Sequence, residues 1–221
     1  MTDSIATRIA KIGAEIPPSV RLIAVSKQVS VDAMRVAYEM GIRDFGESRI
    51  QEATQKQALL QDLPDITWHF IGHLQANKAL KAIALFQWIH SVDNLKLAQR
   101  LNHIAQELSR SPEICLQVKM LPDPNKHGWT VPELLKDLPL LNQCQNLQIK
   151  GLMVIPPLGL NETETLTLFK EARNLRITIQ EQNWSHIKIQ ELSMGMSQDY
   201  PLAIQAGATM IRLGSILFGD R

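Results

Sequence analysis

Short runs of apolar and β-branched residues alternate along the chain with longer stretches in which apolar positions return every three or four residues. The short runs, 21–27, 43–47, 67–72, 88–93, 114–120, 149–155, 187–194 and 210–215, have the length and composition of strands. The stretches 31–40, 47–60, 75–85, 94–109, 131–143, 162–182 and 200–206 carry the helical period. Each strand is thus followed by a segment able to cross back over a sheet, which is the mark of parallel βα architecture. Eight such strands predict an α/β protein folded as a single (β/α)8 TIM barrel. A doubly wound open sheet is the alternative, but its glycine-rich phosphate turn belongs directly after the first strand. That position reads Val25-Ser26-Lys27-Gln28-Val29.

Residues 1–16 place Asp3, Arg8, Lys11 and Glu15 between apolar positions, the pattern of an amphipathic helix with no continuous apolar centre such as a signal peptide has. The sequence stops six residues past the eighth strand, so this extra N-terminal helix is expected where a final barrel helix would pack. Residues 1–221 read as one domain, with no second domain, no short-period repeat and no linker rich in Pro, Gly or Ser.

Charge narrows the ligand. The net charge is +1 with both signs interspersed, which gives no stripe for nucleic acid or an anionic membrane and leaves a small molecule as the expected partner. No apolar run approaches the roughly 20 residues that span a bilayer, and the expected compartment is the cytoplasm. Cys115 falls in a strand-like run and reads as a buried free thiol. Cys144 falls in a polar connection and reads as a surface thiol.

In such a barrel the reactive groups gather at the carboxyl ends of the strands. Lys27 ends the first strand on the face of Ile23 and Val25, so it is expected to aim at the barrel mouth. In Met210-Ile211-Arg212-Leu213-Gly214-Ser215, Ile211 and Leu213 share one face and turn Arg212 to the other, inward. Closure makes the first and last strands neighbours and brings Lys27 and Arg212 together. The turns Met194-Gly195-Met196-Ser197 and Gly214-Ser215 offer backbone N–H groups and hydroxyls where barrels commonly hold phosphate. An amine, an inward cation and a phosphate cradle together describe a site for pyridoxal 5′-phosphate (PLP). A pyridine nitrogen facing Arg212 has to accept a hydrogen bond, because guanidinium only donates, and an unprotonated ring is a weaker electron sink.

Trp68-His69-Phe70-Ile71-Gly72-His73 holds two histidines four apart. On a strand that spacing separates them by roughly 13 Å, beyond one ion's reach, so no metal site is expected. His73 reads as a cavity residue and His69 as core. The strand ends also carry Ser48, Arg49, Lys78 and Asp93; helix capping and surface charge account for Arg49 and Asp93. Met194 and Met196 read as cavity packing.

The segments Ala24-Val25-Ser26-Lys27, Phe45-Gly46-Glu47-Ser48-Arg49-Ile50-Gln51-Glu52, Trp68-His69-Phe70-Ile71-Gly72-His73-Leu74-Gln75, Gly151-Leu152-Met153-Val154-Ile155-Pro156-Pro157 and Leu192-Ser193-Met194-Gly195-Met196-Ser197 occur in an order that closely resembles the pyridoxal phosphate homeostasis proteins, the proline-synthase-co-transcribed family. The resemblance implies a barrel similar to the N-terminal domain of alanine racemase, of fold-type III, with PLP on Lys27. It also implies a ring nitrogen facing Arg212 and phosphate held by Ser197, Gly214 and Ser215. It further implies a monomer that acts in vitamin B6 and amino-acid balance without established turnover; a carrier that releases its cofactor would have PLP-requiring apo-enzymes as partners. Ser48 stands where the family usually has Asn, and the 121–128 loop matches only at Lys126 and Gly128.

Two enzymatic readings compete with a PLP carrier. A racemase needs an acid/base on each face of the substrate carbon, and Lys27 supplies one, leaving His73 or a partner for the other. A Schiff-base aldolase would use Lys27 on a carbonyl substrate, with Arg212 and the glycine turns holding a sugar phosphate.

Overall fold

The computed structural model describes residues 3–219. The parallel strands are β1 (Arg21–Val25), β2 (Asp44–Glu47), β3 (Thr67–Phe70), β4 (Trp88–Val92), β5 (Glu113–Lys119), the two-residue β6 (Trp129–Thr130), β7 (Gln148–Met153), β8 (Ile187–Ser193) and β9 (Met210–Leu213). The order β4-β3-β2-β1-β9-β8-β7-β5, closed by pairing of β4 with β5, makes the predicted eight-stranded barrel. β6 adds only to the outer end of β5 and was not foreseen.

The helices are α1 (Ile5–Glu15), α2 (Val31–Glu39), α3 (Ile50–Leu59), α4 (Ala79–Leu85, after a 3₁₀ turn at Ala76–Lys78), α5 (Leu95–Glu107), α6 (Val131–Leu141), α7 (Glu162–Glu181), α8 (Tyr200–Gln205) and the single turn α9 (Ser215–Phe218). Side chains of Ser4, Ser30, Asn94, Thr130 and Asn161 accept first-turn N–H groups, which fixes where α1, α2, α5, α6 and α7 begin. Helix α1 closes the ring as expected: Arg8 Nε donates to Leu217 O at 2.8 Å in α9, and Tyr200 Oη to Glu15 Oε2 at 2.8 Å in α8. The predicted helix start at Met1 and Thr2 lies outside the described residues.

Two layers of core follow from strand alternation. Ala24, Ile211 and Leu213 face outward into the large core under the helices. Ile23, Trp88, Cys115, Met153 and Met210 form a second, inner cluster that fills the barrel. Cys115 is buried and free as expected, and burial raises its thiol pKa. Cys144 departs from the sequence reading: at 3% exposure it is buried, because the turn after α6 folds it under that helix beside the outer core.

Candidate functional site

Strand β1 stops at Val25, two residues earlier than its apolar run suggests. Ser26 continues the ladder by donating its N–H to Gly46 O, and Gln28 takes a left-handed φ of 58°. The turn is held from beneath. Lys56 of α3 donates its Nζ to Ser26 O at 2.5 Å, Glu47 Oε1 at 2.8 Å and Glu52 Oε1 at 2.6 Å, while Glu52 Oε1 also accepts from Gln28 N. Ser26 Oγ adds a 2.6 Å bond to Glu47 Oε1. Burial raises the Glu47 carboxyl pKa against the opposing pull of Lys56, and its Oε2 has no hydrogen-bond partner among the described residues. This network presents Lys27, itself exposed, at the carboxyl end of the barrel.

Lys27 opens on a cavity of about 530 Å³ that Arg212 also lines, a size within the usual range for small-ligand sites. Ser48, Ser197, Gly214 and Ser215 line the same space, together with Asp199. Arg212 is 4% exposed and donates to Ser193 Oγ at 2.7 Å and Val154 O at 3.1 Å. Burial lowers its pKa to about 10, which leaves it charged at neutral pH. Ser197 Oγ accepts from Gly214 N at 3.3 Å, tying together the two turns expected to cradle an anion. Ser215 and Ile216 begin the single turn α9, whose first N–H groups no intrahelical carbonyl can take.

Met194, Gly195 and His73 stand elsewhere. Met194 is wholly buried in the outer core. Gly195, at φ 96°, serves packing: a Cβ there would lie 2.7 Å from Ala203 Cβ in α8. His73 lines a neighbouring groove with Arg49, Lys78 and Lys81. It reaches Asp93 Oδ2 at 3.2 Å and stacks on His127, ring centres 3.6 Å apart and planes 11° apart. Asp93 is therefore not the surface charge its position suggests; it is 6% exposed and also lies 3.7 Å from His127.

These three residues bring ligand-type atoms within 4.8 Å of one another. Both Nδ1 atoms approach the same oxygen, Asp93 Oδ2, at 3.2 Å from His73 and 3.7 Å from His127. The contact fastens the 121–128 loop to the mouth. Lys126 does the same from the other side by donating to Pro156 O.

Sequence reasoning missed Asp199, Ser193, His90 and the Lys56 network. Only the last had a signal, the Glu52/Lys56 spacing of one helical turn. Asp199 accepts from Met196 N at 2.6 Å, and burial raises its pKa.

A parallel barrel with an amine and a buried guanidinium at one mouth places the chain among barrels of the alanine racemase type, and the family model "Alanine racemase, N-terminal domain" matches residues 1–221. An alanine racemase of Clostridium difficile shares this fold with a TM-score of 0.78 at 16% identity, over 98% of this chain and 56% of that one. Within that class the chain belongs to the pyridoxal phosphate homeostasis protein family. The Synechocystis protein of that name is 55% identical over 212 residues, 96% of each chain. PipY of Synechococcus elongatus PCC7942, solved with PLP bound, superposes with a TM-score of 0.93 at 55% identity over 98% of this chain and 100% of that chain.

Proposed function

We propose that residues 1–221 act as a single PLP-binding domain, a carrier in vitamin B6 and amino-acid homeostasis that holds PLP as a Schiff base on Lys27 without catalytic turnover. The observation that carries this reading is the shared cavity of Lys27 and Arg212. The chemistry of the donor set fits the cofactor. Nζ of Lys27 condenses with an aldehyde, releasing water. Arg212 keeps three of its five N–H donors after serving Ser193 and Val154, and these suit an acceptor such as an unprotonated pyridine nitrogen. Ser197 and Ser215 hydroxyls with the Gly214–Ser215 backbone suit a phosphate. Ser48 stands at the cavity wall in place of the family's usual Asn and offers a hydroxyl in place of an amide.

Absence of turnover is proposed on geometry. Racemisation needs a second acid/base opposite the amine, and His73, the candidate for that role, belongs to the groove beside the cavity. Met194 and Gly195 act in this reading by shaping the turn that carries Ser197. The PLP bound in the PipY structure supports the cofactor assignment. We place the protein in the cytoplasm as a monomer that passes PLP to apo-enzymes; no helix among the described residues is long and apolar enough to cross a membrane.

The test is direct. Protein mixed with PLP should turn yellow, and borohydride should fix the chromophore to the peptide containing Lys27, with Lys27→Ala folded and colourless. An unmodified Lys27 peptide refutes the Schiff base. Racemisation of an added amino acid refutes the carrier. Faster activation of an apo-enzyme by loaded protein than by equal free PLP supports delivery.

A further inference from the structure

Five polar side chains run in file through the apolar interior of the barrel. Arg212 Nη1 donates to Ser193 Oγ at 2.7 Å; Ser193 Oγ lies 2.8 Å from His90 Nδ1; His90 Nε2 lies 2.9 Å from His69 Nδ1; His69 Nε2 lies 2.8 Å from Asp44 Oδ1. Ser193, His90 and His69 have no solvent exposure, and Trp88 stacks on His69 at 5.9 Å between ring centres and lies tilted against His90 at 5.6 Å. The file begins at the ligand cavity and ends at Asp44, at the first residue of β2, beside Arg21 at 3.9 Å.

The proton positions follow from the two ends. An ionised Asp44 only accepts, so the hydrogen of neutral His69 sits on Nε2 and its Nδ1 is bare. His90 Nε2 must then donate to that bare nitrogen, which leaves His90 Nδ1 bare in turn. The Ser193 hydroxyl is its donor among the described residues, so Ser193 turns its hydrogen to His90 and its lone pairs to Arg212. Desolvation lowers both histidine pKa values, which keeps both rings neutral as this order requires. Every bond in the file points the same way, from guanidinium to carboxylate.

We propose that His69 and His90 are positioning residues for Arg212: the one-directional relay to Asp44 locks the Ser193 hydroxyl as an acceptor and fixes the guanidinium toward the cavity. Without the relay, Ser193 is a free rotor whose hydrogen can turn against the cation. With it, the arginine has a fixed acceptor at Nη1 and a carbonyl at Nη2, and its remaining donors select a ligand group that accepts. This deepens the PLP reading and rests on it for the identity of the ligand, while the relay itself is independent of any cofactor.

Two measurements separate the parts. With histidine-¹⁵N-labelled full chain and no added ligand, NMR should find two rings in the neutral Nε2–H form that do not titrate between pH 8 and 6; an Nδ1–H ring or a titrating cation at either position overturns the relay. With PLP added, Ser193→Ala and His90→Leu should each weaken binding about tenfold, the worth of one hydrogen bond to a charged group, and shift the chromophore. His90→Gln, which can accept from Ser193 and donate to His69, should restore most of both. Folded Ser193→Ala with unchanged affinity and spectrum overturns the positioning role. Failure of the unaltered protein to take up PLP overturns the cofactor reading alone, and the ring tautomers then still decide the relay.

Discussion

Acidification should destabilise this barrel from within, through two imidazoles buried inside it. His69 and His90 are fully buried, and desolvation lowers both pKa values from an ordinary 6.5, that of His90 well below it. Below pH 6.5 the unfolded chain binds a proton at each ring and the native barrel does not. The unfolded state then holds more protons, so stability present above pH 6.5 is lost as pH falls toward the depressed native values. For a ring that stays neutral in the fold, as His90 does, moving from pH 7.5 to 5.5 costs about 1.4 kcal/mol, and His69 adds a loss of the same sign. Against a total of roughly 5–15 kcal/mol this is a large fraction, and it should lower the urea midpoint by on the order of 1 M. Urea melts of the unaltered chain and of His90→Gln at both pH values isolate the effect. The variant should lose about 1.4 kcal/mol less than the parent over that interval, and an equal loss in both proteins refutes neutral burial of His90.

Three further outcomes can be checked. Lys56→Met leaves Glu47 and Glu52 without their shared cation; unfolding in denaturant should show a loss of about 3 kcal/mol, together with slower condensation of PLP at Lys27 as the Ser26–Gln28 turn loosens. Ser197→Ala should weaken PLP retention by about 1–2 kcal/mol in equilibrium dialysis while leaving pyridoxal, which lacks the phosphate, unaffected. Gly72→Ala would put a Cβ 2.3 Å from Ser48 O, so the backbone beneath Ser48 must move; thermal melting should report a loss above about 2 kcal/mol.

The outer architecture was legible because burial imposes a period. Strand Met210–Leu213 alternates between the inner cluster and the outer core, so the inward aim of Arg212 could be read from Ile211 and Leu213 alone. Strand ends were read one or two residues long, as at Lys27, because apolar cavity residues continue the pattern after the ladder stops. What pairs across the barrel was not legible. His90 and Ser193 lie 103 positions apart, and no local rule links a histidine in one strand to a serine three strands away around the ring. His73 was expected at the ligand because it directly follows the third apolar run; the loop that brings His127 onto it has no periodic signal and draws the ring aside. Asp93 was read as surface charge for the same reason.

The two ends of the cavity are built differently, and the difference bears on holding as against reacting. Arg212 is dry, anchored by Ser193 and Val154 and backed by a relay the length of the barrel. Lys27 is exposed, and only the turn beneath it is fixed, through Lys56. In the carrier reading, a ligand gripped at a dry cationic end and joined at a wet amine end draws its affinity from the first and its reversibility from the second. Because Lys27 is exposed, an imine formed there would lie open to water and competing amines. Carbanion chemistry is favoured by the opposite arrangement, with the reacting bond sheltered and the ring nitrogen protonated. With the ring nitrogen at Arg212, as the carrier reading has it, a charged group that only donates would work against that protonation, and the proposed relay would work against any rearrangement that relieved it.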